Sequence, residues 1–319
     1  MFVSSLNIKE FRGIKACDKA LKFSNFTVLI GKNNAGKSSI LEALSLLPDP
    51  NITDIFTRHT KSNNLAILHQ GSLKDLLYLY AGTSNLQFGI KNSTAMIEIG
   101  EEDIRTSWNN IGGSISAEIS KMYELPKNKL SEMVLFIPFT TSILKDLENR
   151  MRVLKELIMK KGYHIELAKF LNECVNDVYS ELVFLEPISL RKVYPDNNVY
   201  LKLKDLGSGA EKLIKIMALF EVLSPKLILI DDFETGFHPT MIKLFLKWLK
   251  KKEWQTIIST HSIDVLYHLV DIKPQDTTII QLNKSNEDIL SHEILTLDEL
   301  EDLLDANTDP RLLLDALRI

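Results

Sequence analysis

An α/β fold with a parallel core is what three stretches of this 319-residue chain predict. The residues Gly31-Lys32-Asn33-Asn34-Ala35-Gly36-Lys37-Ser38 match G-x-x-x-x-G-K-[ST]. The β-branched, apolar Phe26-Thr27-Val28-Leu29-Ile30 precedes them, and the amphipathic Ser39-Ile40-Leu41-Glu42-Ala43-Leu44 follows, so the motif lies between a strand and a helix. A second run, Lys226-Leu227-Ile228-Leu229-Ile230-Asp231-Asp232, is apolar without alternation and ends in two carboxylates, which suits a central parallel strand covered on both faces. The third, Thr256-Ile257-Ile258-Ser259-Thr260-His261-Ser262, is β-rich and ends at a histidine.

The first stretch carries the most chemistry. Gly31 and Gly36 let the backbone curl so that the amides of Lys32, Asn33, Asn34 and Ala35 turn toward phosphate oxygens, and the N-terminus of the following helix adds partial positive charge. Lys37 is spaced to reach the β- and γ-phosphates, the Ser38 hydroxyl to ligate Mg²⁺, and Ser39 continues the binding turn. The expected ligands are therefore ATP and Mg²⁺.

Before this loop, residues 1–30 read as two or three short strands, with Phe2-Val3-Ser4-Ser5-Leu6-Asn7-Ile8 alternating by two. Residues 48–64, opening on Pro48-Asp49-Pro50, read as an irregular connection. Leu86 to Ile90 and Ala95 to Ile99 predict an antiparallel hairpin turning at Lys91-Asn92-Ser93, and a further strand pair is expected near 132–139. From 141 to 181 the period becomes helical: Ile143, Leu144, Leu147, Met151, Leu154, Leu157 and Ile158 form one apolar stripe, and a second run spans Ile165 to Tyr179. Basic residues such as Lys145, Arg150 and Lys155 alternate with Asp146, Glu148 and Glu156 there, which reads as a solvated face before a DNA-contacting one. Strands return at Ile188 to Val193 and Val199 to Leu203, and Asp205-Leu206-Gly207-Ser208-Gly209-Ala210-Glu211-Lys212 then opens a helix through Leu223, a second small-residue loop shaped for phosphate.

These segments divide the chain into a composite core of residues 1–95 and 186–285, an inserted strand and helical lobe at 96–185, and an acidic helical segment at 286–319. In the last, Leu297, Leu300, Leu303 and Leu304 recur at helical spacing among carboxylates.

Composition bounds the function. At 45% hydrophobic and 25% charged residues the chain is globular and long enough for one large domain or two smaller ones. No apolar run approaches the roughly 20 residues of a spanning helix, and Met1-Phe2-Val3-Ser4-Ser5 lacks a signal-peptide layout, so no membrane partner and a cytoplasmic location are expected. Cys17 and Cys174 are too isolated for a disulfide framework or a zinc site. Net charge is −4, which argues against a chain that coats nucleic acid. Residues 287–319 hold ten acidic and two basic side chains, however, which leaves a mildly basic body of thirty-six cations against thirty-two anions.

The order GKNNAGKSS, GSGAEK, LILIDDFETGFHP and IISTHS resembles the ABC-class ATPase heads of the structural-maintenance-of-chromosomes (SMC), RecF and OLD-type (overcoming lysogenization defect) proteins, over residues 1–47 and 186–285. The resemblance implies a P-loop NTPase fold: an ABC-type head with an N-terminal antiparallel β subdomain and an inserted helical lobe. It implies that Ser208 and Gly209 form the signature that touches the γ-phosphate held by a second protomer. It further implies that Asp231 is the Mg²⁺-associated acid, that Asp232 stands at the catalytic glutamate position, that His261 is the switch histidine, and that Arg12 of Phe11-Arg12-Gly13-Ile14 lies near the nucleotide. Glu234-Thr235-Gly236-Phe237-His238-Pro239 would face the dimer partner. For the family's Q-loop glutamine, Gln70 and Gln87 are the candidates.

Two departures qualify the likeness. Asp232 is one methylene shorter than glutamate, which predicts slow hydrolysis unless Glu234 compensates from a continued strand. OLD-type proteins carry a nuclease domain after the ATPase, whereas roughly 35 residues follow the last strand-like run here, so no nuclease activity is expected in this polypeptide. The implied activity is ATP hydrolysis by an ATP-dependent homodimer acting on DNA, or with a separately encoded effector, in DNA maintenance or defence. The alternatives are a nucleotide-dependent switch with little turnover and a transporter motor subunit; the long interval from Ser38 to Ser208 disfavours the latter.

Overall fold

The computed structural model describes residues 1–140, 143–175 and 177–312. In chain order, β1 (Ser5–Phe11), β2 (Ile14–Cys17), β3 (Leu21–Lys22) and β4 (Phe26–Gly31) lead into α1 (Lys37–Ser45) and α2 (Lys61–Ile67). Next come β5 (Ser84–Ile90), β6 (Ser93–Ile99), β7 (Ile104–Trp108), β8 (Ile111–Gly112), α3 (Ile115–Tyr123) and β9 (Val134–Ile137). Three helices, α4 (Ile143–Val153), α5 (Lys155–Lys160) and α6 (Tyr163–Cys174), precede β10 (Glu181–Val183), β11 (Ser189–Val193), β12 (Asn198–Lys202) and α7 (Ser208–Leu223). The chain continues through β13 (Leu227–Ile230), α8 (Pro239–Lys250), β14 (Gln255–Ser259), α9 (Ile263–Ile272), β15 (Thr277–Lys284), β16 (Ile289–Leu295) and α10 (Leu297–Asp305).

Two compact units result. The first comprises Met1–Phe139, Pro225–Phe233 and Lys250–Ile319; the second comprises Thr140–Ser224 and Glu234–Leu249. In the first, thirteen strands form one sheet in the order β8-β7-β6-β5-β1-β2-β16-β15-β4-β14-β13-β9, with β3 beside β1. The strands β15, β4, β14, β13 and β9 run parallel, and the β1–β2 and β5–β8 strands add an antiparallel extension. The run Leu227 to Ile230 is buried at every position, as expected of a strand with neighbours on both sides and cover on both faces. The β5–β6 hairpin pairs Ile90 with Ser93, so Lys91 and Asn92 make its turn.

The stretch near 132–139 forms a single strand. Val134–Ile137 holds no reversing residues, and it pairs parallel to β13 at the sheet edge. The acidic α10 is fixed by a capping box between Thr296 and Glu299 and buries Leu300 and Leu304, while residues 313–319 of the expected acidic segment lie outside the described residues. Among the described residues no helix is long and apolar enough to cross a membrane. In the second unit, Ile143, Leu147, Met151 and Ile158 of the expected stripe are buried, and β10, β11 and β12 form a small antiparallel sheet.

Gln255 ties the chain's first residues to β14. Its Oε1 accepts from the amides of Phe2 and Val3, and its Nε2 donates to Val3 O and Ser24 O. Lys61 does the same for β9, donating to Ser45 O at the end of α1 (3.1 Å) and to Val134 O (3.0 Å). Burial lowers its pKa from 10.5 to about 8, so above about pH 8 the folded chain releases a proton that the unfolded chain keeps until 10.5. The penalty of charging Lys61 is therefore full below that window and fades as pH rises through it. Urea unfolding should show the wild type gaining about 2 kcal/mol relative to Lys61→Met between about pH 7.5 and about pH 10.

Candidate nucleotide site

The phosphate loop leaves β4 at Gly31, whose φ is +142° and where a Cβ would stand 2.5 Å from Leu282 O on the neighbouring β15. Only glycine fits there. Lys32, Asn33 and Asn34 are exposed and Ala35 is buried; Gly36 caps α1 and Ser39 lies in its first turn. Lys37 is 5% exposed, and its ammonium donates to Gly31 O (2.9 Å) and Lys32 O (3.0 Å). A buried cation at the N-terminus of a helix, held against the main chain of the preceding loop, is an arrangement that can receive phosphate.

The two carboxylates meet this loop. Asp231 is 5% exposed; Ser259 Oγ donates to its Oδ1 at 2.6 Å, and Ser38 hydrogen-bonds it as well. Burial pushes its pKa up, the two hydroxyl contacts oppose that, and the charges of Asp232 and Glu42 add to it. Ser259 also accepts from the Asp232 amide at 2.8 Å, so one hydroxyl at the end of β14 orients both acids. Asp232 turns the chain out of β13 with φ +43°, and its Oδ1 lies 3.5 Å from His261 Nε2. Because β13 ends at Ile230, residues 231–236 form a turn and do not carry Glu234 on a continued strand.

Arg12 makes a defined set of contacts beside the loop. Its Nε donates to Glu42 Oε2 on α1 (3.0 Å) and its NH1 to Asp75 O (3.0 Å), while His69 Nε2 meets Glu42 Oε1 at 2.8 Å. Sequence reasoning missed two partners here. Lys284 Nζ reaches Gly13 O (2.8 Å), Asn34 Oδ1 (3.3 Å) and Asp288 Oδ1 (2.8 Å), and Tyr78 OH donates to Asp288 Oδ2 (2.9 Å). This chain of contacts joins the phosphate loop to Tyr78-Leu79-Tyr80, where Leu79 and Tyr80 are exposed and left-handed. Arg311 NH1 donates to His261 O, another contact that sequence spacing does not announce. Gln70 lies in the turn after α2, and Gln87 pairs with Asn7 and Met96 in β5. The chain leaving the sheet beside Asp231, whose amide donates to Ile137 O at 2.9 Å, is Pro138-Phe139 and holds no glutamine.

In the second unit, exposed Ser208 opens the sixteen-residue α7 and Gly209 lies buried behind it. A Cβ on Gly209 would stand 1.9 Å from Gly236 O, so the loop at 234–239 packs backbone to backbone against the start of α7. Lys212 Nζ caps Thr235 O and lies 5.3 Å from the Phe237 ring centroid. The positive end of a long helix, with a serine hydroxyl on its rim, can receive an anion.

A family model described as AAA ATPase domain matches residues 1–179. The Helicobacter pylori protein named ATP/GTP phosphatase is 23% identical over 325 residues, 82% of this chain and 85% of that protein. The Vibrio vulnificus DNA replication and repair protein RecF is 55% identical over 47 residues, 15% of this chain and 13% of that protein. Among solved structures, an SMC head bound to the C-winged helix domain of ScpA shares the fold, with a TM-score of 0.66 at 15% identity over 94% of this chain and 99% of that one.

The raised Asp231 carboxyl penalises the folded state once it ionises, so that penalty is complete near neutrality and disappears as pH falls through the carboxylate range. Asp231→Asn should be more stable than the wild type at pH 7 by about 1 kcal/mol, with the gap closing in acid, as read by thermal unfolding at a series of pH values.

Proposed function

Because the chain belongs to the AAA ATPase domain family and is an ABC-class ATPase of the SMC, RecF and OLD type, we propose that it acts as an ATP-sandwich homodimer in DNA maintenance or defence against foreign DNA. The observation that carries the reading is the single cluster formed by Lys37, Ser38, Asp231, Ser259, Asp232 and His261 at the mouth of the phosphate loop.

Within that cluster the roles follow from the chemistry. The loop amides and Lys37 hold the β- and γ-phosphates. The Ser38 hydroxyl and the Asp231 carboxylate are hard oxygen donors of the kind Mg²⁺ takes, and a carboxylate resisting ionisation by burial is one that a divalent cation would relieve. Bound there, Mg²⁺ would neutralise charge on the phosphate oxygens. Asp232 takes a proton from the attacking water, whose oxygen bonds to the γ-phosphorus as the bond to the β-phosphate oxygen breaks. His261, 3.5 Å from Asp232, steadies that carboxylate and senses the leaving phosphate. Ser208 and the α7 N-terminus close over the γ-phosphate of a second copy, so that ATP joins two protomers and hydrolysis releases them.

Support for a DNA role comes from the likeness to RecF, from the SMC-head fold and from the basic balance of residues 1–286. A second reading, a switch with little turnover that controls a separately encoded effector, is favoured by the short side chain of Asp232.

Lys37→Ala should abolish ATP binding in calorimetry. Asp232→Asn should keep binding, slow hydrolysis by at least about a hundredfold, and elute as a dimer with ATP and Mg²⁺ in size-exclusion chromatography. A monomer under those conditions would refute the sandwich, and wild-type turnover near zero would favour the switch. DNA affinity must fall as salt rises; absence of binding at low salt removes the DNA half of the proposal.

A further inference from the structure

The second unit holds a half-open cavity of about 270 Å³ between α6, α7 and α8, and none of the phosphate chemistry uses it. Its walls are the rings of Tyr163, Phe170 and Trp248, and its floor is the buried Leu167 and Met217. Glu166, Glu173 and Glu221 line it together with Lys169, and Lys161 Nζ lies 5.8 Å from the Tyr163 ring centroid. Trp248 Nε1 donates to Glu221 Oε1 at 3.0 Å, which fixes the indole edge on the acid, and its ring packs against Phe245 with centroids 5.6 Å apart. Burial, and after it the charges of Glu221 and Glu166, raise the pKa of the Tyr163 phenol.

We propose that this cavity is a receptor for one arginine side chain carried by a protein partner. Aromatic faces present negative potential and attract cations, most strongly tryptophan, and carboxylates on the same rim reinforce that field. An apolar floor accepts a methylene stem while the charged head stays at the rings and acids. A planar guanidinium can stack on an indole and bond a carboxylate at once, which an ammonium cannot. The size points the same way: the volume lies just below the roughly 300 to 1,000 Å³ of sites that enclose a whole ligand, and the open side leaves a path for the chain that bears the side chain. Buried arginine anchors in aromatic pockets are typical centres of protein interfaces.

The test uses the full chain and the peptide acetyl-Gly-Arg-Gly-amide, with its citrulline counterpart as a neutral isostere, read by tryptophan fluorescence against a Trp248→Phe control. Saturable binding of the arginine peptide is expected, at least about tenfold tighter than that of the citrulline peptide. It should weaken several-fold in Glu166→Gln, whose exposed position leaves folding intact, and as salt rises. Equal titration by citrulline, no saturation at millimolar peptide, or unchanged affinity in Glu166→Gln would overturn the proposal. Tighter binding of spermidine than of the peptide would also overturn it, by assigning the cavity to a free amine. ATP is absent throughout, and a parallel ATP calorimetry run reports on the nucleotide reading separately.

Discussion

The level register of three parallel strands is the constraint on which the nucleotide site depends. Ile230 of β13 pairs with Ile258 of β14, which in turn pairs with Val28 of β4, so Asp231, Ser259 and the loop that begins at Gly31 emerge at one edge. Ser259 then bridges the strands chemically, donating a hydrogen bond to Asp231 and accepting one from the Asp232 amide. A slip of one residue in β14 would turn the Ser259 hydroxyl to the opposite face and take from a buried carboxylate one of its two hydroxyl donors. Such a slip would also force every side chain of a strand buried on both faces to repack.

The left-handed backbone at Asp232 belongs to the same constraint. A chain that must leave a buried strand at once, without continuing past Ile230, turns most easily at a residue whose short polar side chain tolerates positive φ, and aspartate does so better than most. The shorter acid at this position is thus consistent with the sharpness of the turn as well as with slow chemistry. Stability is given up nearby: Asp231 resists ionisation where it stands, as Lys61 resists protonation beneath β9.

Local signals carried much of this molecule. The phosphate loop was legible because its residues act through their own backbone and the helix that follows. The β13 run was legible because burial on both faces leaves an unbroken apolar stretch, and the β5–β6 hairpin because its turn is short. Features that depend on distant pairing were not. Four apolar residues at 134–137 carry no mark of their partner, so their parallel place beside β13 could not be read from them. Arg12 finds Glu42 and Asp75, and Lys284 finds Asn34 from 250 positions away, through chain reversals that no spacing encodes. Glu234 failed as a substitute for a longer acid for the same reason, since a strand's end is decided by its neighbours.

One small contact has a wider meaning. Gly209 and Gly236 touch through main chain alone, with a carbonyl occupying the volume any side chain would need. No lubricating layer of rotamers separates the two loops, so neither can shift without dragging the other. Any displacement of the serine-bearing turn at Ser208 therefore carries the root of the twelve-residue α8 with it.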